Sequence, residues 1–231
     1  MRNTMVLAAL ATAATLVIPA TVAAQFEGVI TIAVHDKKEG NMTLVQWTTA
    51  NKFRLDMNQE AKGDDGPGNG TMIVNREAKT VTIVMHEQKM YMTSPLQPPK
   101  TQATEKDGDK EDDHGKLTRT GRTEVVAGIT CDVYHGVTTT RGKQEEGDIC
   151  FAKGVGFMPG IMSGAGRMGQ GMGAAYAKIG APAGAGIMKV TSYVKGKPHV
   201  DMEVTKVDKR ALSASDFQPP AGYTLFKTPA H

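Results

Sequence analysis

The chain has 231 residues and a formal charge of +3, with its Lys and Arg interspersed among Asp and Glu rather than massed in one block. A weak, mixed charge of this kind excludes electrostatic recognition of nucleic acid. Aromatic residues supply only 5% of the chain while methionine is plentiful at 14, so the core must be built largely from aliphatic and thioether side chains.

Residues 1–24, MRNTMVLAALATAATLVIPATVAA, begin with Arg2, run apolar from Met5 to Ile18 and end in small residues. That is the pattern of a secretory signal peptide cut after Ala24. Pro19 and the small polar tail interrupt a run already short of the roughly 20 apolar residues that span a bilayer. The mature chain is therefore expected to be periplasmic or secreted, with no transmembrane segment.

From Phe26 the sequence alternates with period two. FEGVITIAVH places Ile30, Ile32 and Val34 on one face. NMTLVQWTTANKFRLDMN alternates through Met42 and Leu44, turns at Thr49 to Asn51, and resumes with Phe53, Leu55 and Met57 facing in and Arg54 and Asp56 out. After the turn cluster AKGDDGPGNG comes GTMIVNREAKTVTIVMHEQKMYMT, three apolar runs split by polar turns. It reads as a meander with Val81, Ile83 and Met85 on one side, Thr80 and Thr82 on the other, and Val84 as the one exception. One greasy side predicts a sheet packed on one face only, about six strands in this half.

Residues 97–117, QPPKTQATEKDGDKEDDHGKL, hold two prolines and ten charges and almost nothing to bury, which reads as a disordered, solvated loop. Asp107, Asp109 and Glu111 do not make a calcium loop, because Asp112 stands where Gly is needed and Thr118 where Glu is needed. Strands resume at residue 118. In the last hairpin Met188, Val190 and Val194 oppose Lys189, Thr191 and Tyr193, and Val200, Met202 and Val204 oppose Asp201 and Glu203. The tail SASDFQPPAGYTLF is expected to make one helical turn and lock Phe217 and Tyr223 around two prolines.

Cys131 and Cys150 are the only cysteines and fall in separate strand-like runs. An oxidising compartment favours their union as a disulfide, worth about 3 kcal/mol for a loop of this size. Residues 154–187, rich in Gly and Met, read as a flexible apolar flap with at most a short helix. Gly164, Gly166 and Gly169 spell a dinucleotide fingerprint by accident, with no acid at the required distance. Ser94, Ser163, Ser192, Ser213 and Ser215 sit in no nucleophile motif, and the six histidines form no pair at metal-ligand spacing. No enzyme activity, metal or cofactor is expected.

The order FEG, K-x-R-x-D-M, G-x-M-I-V-N, K-M-Y-M, T-G-R-T-E-x-V-A-G-I-x-C, I-C-F-A-K-G-V-G and F-Q-P-P-A-G-Y resembles the bacterial exported domain-of-unknown-function family 4412 (DUF4412), and the match covers nearly the whole mature chain. More distantly, a signal peptide, successive antiparallel strands, an internal lid and a terminal F-x-P-P-x-G look like the lipoprotein carrier and sorting proteins of the LolA/LolB type. That resemblance implies a mainly β fold, a single curved antiparallel sheet of half-barrel form with a lid.

The expected function is non-enzymatic binding of an apolar small molecule, lipid or lipidated protein on the concave face. The candidate binding residues are Leu44, Phe53, Leu55, Ile83, Met85, Val190 and Met202 on the sheet and Phe157, Met158, Met162 and Tyr176 on the flap. A structural or interaction protein with no ligand is one alternative. Soft-metal handling is another, because Met158, Met162, Met168 and Met172, or His86 with Met90 and Met92, offer sulfur to Cu(I). Met90 and Met92 also read as alternate core residues of a strand. The oligomeric state is not encoded in these patterns.

Overall fold

The computed structural model describes residues 26–36, 40–59, 69–96, 114–140, 143–157, 180–182 and 184–226. Residues 1–24, expected to be a signal peptide, most of the stretch 97–117, and Met158, Met162 and Tyr176 lie outside the described residues.

Six strands follow one another as a meander: β1 (Gly28–Asp36), β2 (Gly40–Thr48), β3 (Lys52–Gln59), β4 (Gly70–Asn75), β5 (Thr80–Met85) and β6 (Met90–Pro95). A second meander comprises β7 (His114–Val126), β8 (Ile129–Thr140), β9 (Lys143–Lys153), β10 (Ala185–Val194) and β11 (Lys197–Lys209). Strand β11 returns to pair with β1, so the two meanders fuse into one sheet ordered β12-β6-β5-β4-β3-β2-β1-β11-β10-β9-β8-β7. All pairs are antiparallel except the first, in which the two-residue β12 (Thr224–Leu225) runs parallel to β6. Strand β7 begins at His114, so the last four residues of the stretch read as a charged loop belong to a strand. Leu117 explains why, since it packs against the main core.

Turn chemistry follows local need. Ala127–Gly128 and Lys195–Gly196 both sit at positive φ, the geometry of two-residue hairpin turns whose twist matches the strands they join. Register shifts interrupt the ladders at Thr31/Ile32, Arg119/Thr123, Ile187/Lys189 and Val190/Thr191. Each bulge bends its strand and adds right-handed twist. The result is an open, curved sheet.

The main core draws on both meanders and, on β8 and β9, on both faces, since the buried pair Val133 and Cys150 alternates with the pair Tyr134 and Ile149. Ile30, Ile32, Phe53, Leu55, Val133, Ile187, Met188 and Val204 are sealed from solvent, and burying a side chain of this size stabilises by about 1.5–3 kcal/mol. After β9 the chain turns back, and Phe157 forms an isolated bridge with Ile187, with N–H···O bonds of 2.9 and 2.8 Å. Gly156 sits there at φ 108°, where an added Cβ would come within 2.8 Å of the Ile187 carbonyl oxygen. Its own carbonyl accepts from the buried Gln46 Nε2 at 3.4 Å.

The expectation of a sheet packed on one face only is corrected by a second cluster on the opposite side. Ile73, Val84 and Phe217 are buried there, with Trp47, Tyr91, Leu212 and Tyr223 packed around them. Val84, the exception to the alternation, is fully buried because the C-terminal segment covers it. That segment makes a 3-10 turn at Ala214–Phe217, as the tail's sequence predicted. Cys131 and Cys150 are joined with Cα atoms 5.5 Å apart. Glu124 stands opposite Cys131 and Lys189 opposite Cys150, and their 3.1 Å ion pair reaches across this bond.

Candidate functional site

Residues directly opposite one another on neighbouring strands share a face. Following the ladders from β8 to β2 therefore identifies a row: Tyr134 opposite Ile149, Ile149 opposite Val190, Val190 opposite Met202, Met202 opposite Val34, and Val34 opposite Met42. All six are half-buried and rest on the main core. At about 4.8 Å between strands the row is roughly 24 Å long. It forms an apolar ledge above a sealed floor, with Arg119 opposite Tyr134 at one end.

The candidate residues divide along this line. Leu44, Phe53, Leu55 and Phe157 are at most 9% exposed and belong to the floor. Ile83, Val190 and Met202 are half-buried and pack against the same cluster. Met85 is half-buried, and among the described residues neither cluster takes it up. The sequence reading missed Tyr134, Ile149, Val34 and Met42, because period two assigns a side chain to a face but does not say which residue lies beside it.

Two polar networks lie away from the ledge. Asp148 on β9 accepts from Arg122 Nη2 at 2.6 Å, Tyr193 Oη at 2.9 Å and His135 Nδ1 at 2.9 Å. Burial alone would push its carboxyl up, but the three hydrogen bonds together outweigh that and hold it below the usual carboxylate range. The same bond pushes the Tyr193 phenol up. The network ties β7, β8, β9 and β10 together across the sheet.

In the second network Asp56 accepts from Arg54 Nε at 2.8 Å, Thr71 Oγ1 at 2.6 Å and Trp47 Nε1 at 3.2 Å. Because the Thr71 hydroxyl proton goes to Asp56, His86 Nε2 donates to Thr71 at 2.9 Å. In the neutral ring, Nδ1 then accepts from Tyr223 Oη at 3.0 Å. This chain fastens the C-terminal segment to the sheet. Each network is spent on its own members, and neither presents a nucleophile activated by a base. A cleft of about 300 Å³ beside the β2–β3 turn holds Glu27, Lys52, Glu77 and Phe217. Glu27 there accepts from the Leu212 N–H, and the Lys52 ammonium lies 5.9 Å from the centre of the Phe217 ring.

The metal alternatives fare differently. Among the described residues no group of three or more His, Cys, Asp and Glu could hold an ion. His86 points to the face of the second cluster, where it meets Tyr223, whereas Met90 stands opposite Met85 and Met92 opposite Ile83, on the other face. The sheet separates His86 from the two methionines, so those three do not form one site. The other set, Met158, Met162, Met168 and Met172, lies outside the described residues.

A family model described as "Domain of unknown function (DUF4412)" matches residues 26–223. The chain belongs to the DUF4412 family. No curated protein matches it. Among solved structures this DUF4412 chain is similar to PNGF-II in two crystal forms, C2 and P21, at 15% and 14% identity. The alignments cover 87% and 89% of this chain but only 31% and 32% of PNGF-II, with a TM-score of 0.38 in both. The DUF4412 chain thus spans about a third of PNGF-II, and a likeness this low carries nothing over to it.

Proposed function

We propose that the protein is exported and acts without catalysis, holding an apolar molecule or the lipid-modified part of a partner protein along the ledge of Tyr134, Ile149, Val190, Met202, Val34 and Met42. The observation that carries this reading is the ledge itself: six half-buried apolar side chains contiguous across six strands, on a floor already sealed by its own packing. A contiguous apolar surface left open on a folded chain marks an interaction site.

Covering a half-buried aliphatic side chain returns about 1 kcal/mol, half the value for full burial. Six of them yield about 6 kcal/mol before ordering costs, short of the ~8.2 kcal/mol that micromolar affinity needs. A tight complex therefore draws further contacts from elsewhere in the chain, and Met158, Met162 and Tyr176 are the residues assigned to that task. The likeness to LolA-type carriers in sequence pattern agrees with this reading.

The test is titration with an environment-sensitive hydrophobic dye and a series of single-chain and double-chain lipids. A Val190→Glu, Met202→Glu variant should bind at least ten-fold more weakly while its disulfide and β spectrum persist. Equal binding by this variant and the parent protein, or no binding by either, would refute the reading.

A further inference from the structure

Methionines gather on one face of the β3–β6 region in a way the apolar core does not require. Met85 and Met90 stand directly opposite each other on β5 and β6, and Met92 stands opposite Ile83, one diagonal step from Met85. Directly opposed side chains have Cβ atoms about 4.5–5.5 Å apart and diagonal ones about 7–8 Å, within reach of flexible side chains. All three are half-buried, and among the described residues neither hydrophobic cluster takes them up. A methionine spent on packing would sit in one of those clusters, as Met57, Met72, Met188 and Met202 do. On β4 the residue opposite Met85 is Gly70, and beyond Gly70 stands Met57 on β3. The row therefore reads Met57, Gly70, Met85, Met90, with a gap where a side chain would otherwise separate the thioethers.

We propose that Met85, Met90 and Met92 form a site for a soft monovalent cation, Cu(I) or its analogue Ag(I). Thioether sulfur is neutral, polarizable and selective for Cu(I) over harder ions. Among the described residues no group of three or more His, Cys, Asp and Glu lies here to hold a hard divalent ion. Both cysteines are committed to the disulfide, so no thiolate competes for the ion. The site is independent of the ledge reading, since it uses sulfur rather than apolar area and lies on other strands.

The experiment is anaerobic titration of the disulfide-intact protein with Cu(I) against a chromogenic chelator, repeated with Ag(I) and followed by mass spectrometry and by NMR of 13C-methyl methionine. The parent protein should take up one equivalent, and the methyl signals of Met85, Met90 and Met92 should move together. A Met85→Leu, Met90→Leu, Met92→Leu variant keeps side-chain volume and apolar character. It should lose at least 100-fold in Cu(I) affinity while binding hydrophobic dye as the parent does. A parent protein that takes up no Cu(I) or Ag(I), or a triple variant that binds either ion as tightly as the parent, would overturn the proposal. If the leucine variant loses both the metal and the dye, the three methionines serve folding or the apolar face, and the proposal falls with that result.

Discussion

Replacing Asp148 by Asn tests whether the charge at the centre of the β7–β10 network holds that half of the sheet together. The side chain is 10% exposed and accepts three hydrogen bonds, so the substitution keeps its shape and removes its charge. Arg122 is 57% exposed and regains water when released, which limits the loss on that side. A hydrogen bond to a charged group is worth about 1.5–3 kcal/mol, and with partial rehydration of the donors the network total should fall to about 2 kcal/mol. For a chain of this size that is a drop in Tm of about 4–8 °C. The sign with pH follows from the depressed carboxyl. A carboxylate whose folded pKa lies below the unfolded value of about 3.9 contributes stability above that pH and loses it as pH falls through the folded value. Urea unfolding of both proteins should show the difference in full at pH 7 and progressively less of it as pH falls through the folded value. A difference that stays the same as pH falls would show that the ionised carboxylate is not what matters, and the reasoning would fail.

Packing, the disulfide and the Phe157 bridge each give a further test. Phe53→Ala empties a site that is 1% exposed in the main core and should cost about 3–5 kcal/mol in chemical unfolding; a loss under 1 kcal/mol would mean that this face is loosely packed. Replacing both Cys131 and Cys150 by Ser opens a loop of sequence separation 19 and should cost about 3 kcal/mol, read by comparing the variant with the oxidised parent. Gly156→Ala forces a Cβ to within 2.8 Å of the Ile187 carbonyl oxygen and 2.9 Å of Met188 Sδ at a φ of 108°. It should destabilise by about 1–3 kcal/mol and speed exchange of the Phe157 and Ile187 amide protons, whereas unchanged exchange would argue against the bridge.

Much of the fold was legible because its physics is local. Ile30, Ile32 and Val34, or Phe53, Leu55 and Met57, need only period two to declare a face, and Thr49 to Asn51 declare a turn. What escaped depends on partners distant in the chain. No local signal says that β1 lies between β2 and β11, so the neighbours Val34 and Met202, 168 residues apart, were not readable as a pair. Asp148 lies opposite His135, but pairing β8 with β9 in that register requires the structure. Val84 did carry a warning. Its apolar side chain on the polar side of the alternation meant that something covered the second face, and Phe217 and Tyr223, already flagged in the tail, were the residues to bring there. At the ledge, the sequence named Val190 and Met202 because alternation is cleanest in that hairpin. It could not separate the sealed Leu44, Phe53 and Leu55 from the open row, since both have the same pattern.

The central claim is that the ledge holds an apolar guest, and native mass spectrometry of protein purified from its own host tests it most directly. The account predicts a mass above that of the bare, disulfide-bonded chain. The excess should be released by organic extraction as an apolar molecule or lipid-modified peptide and be absent from the Val190→Glu, Met202→Glu variant prepared in parallel. A bare mass from the parent protein, or an equal load on both proteins, would contradict it.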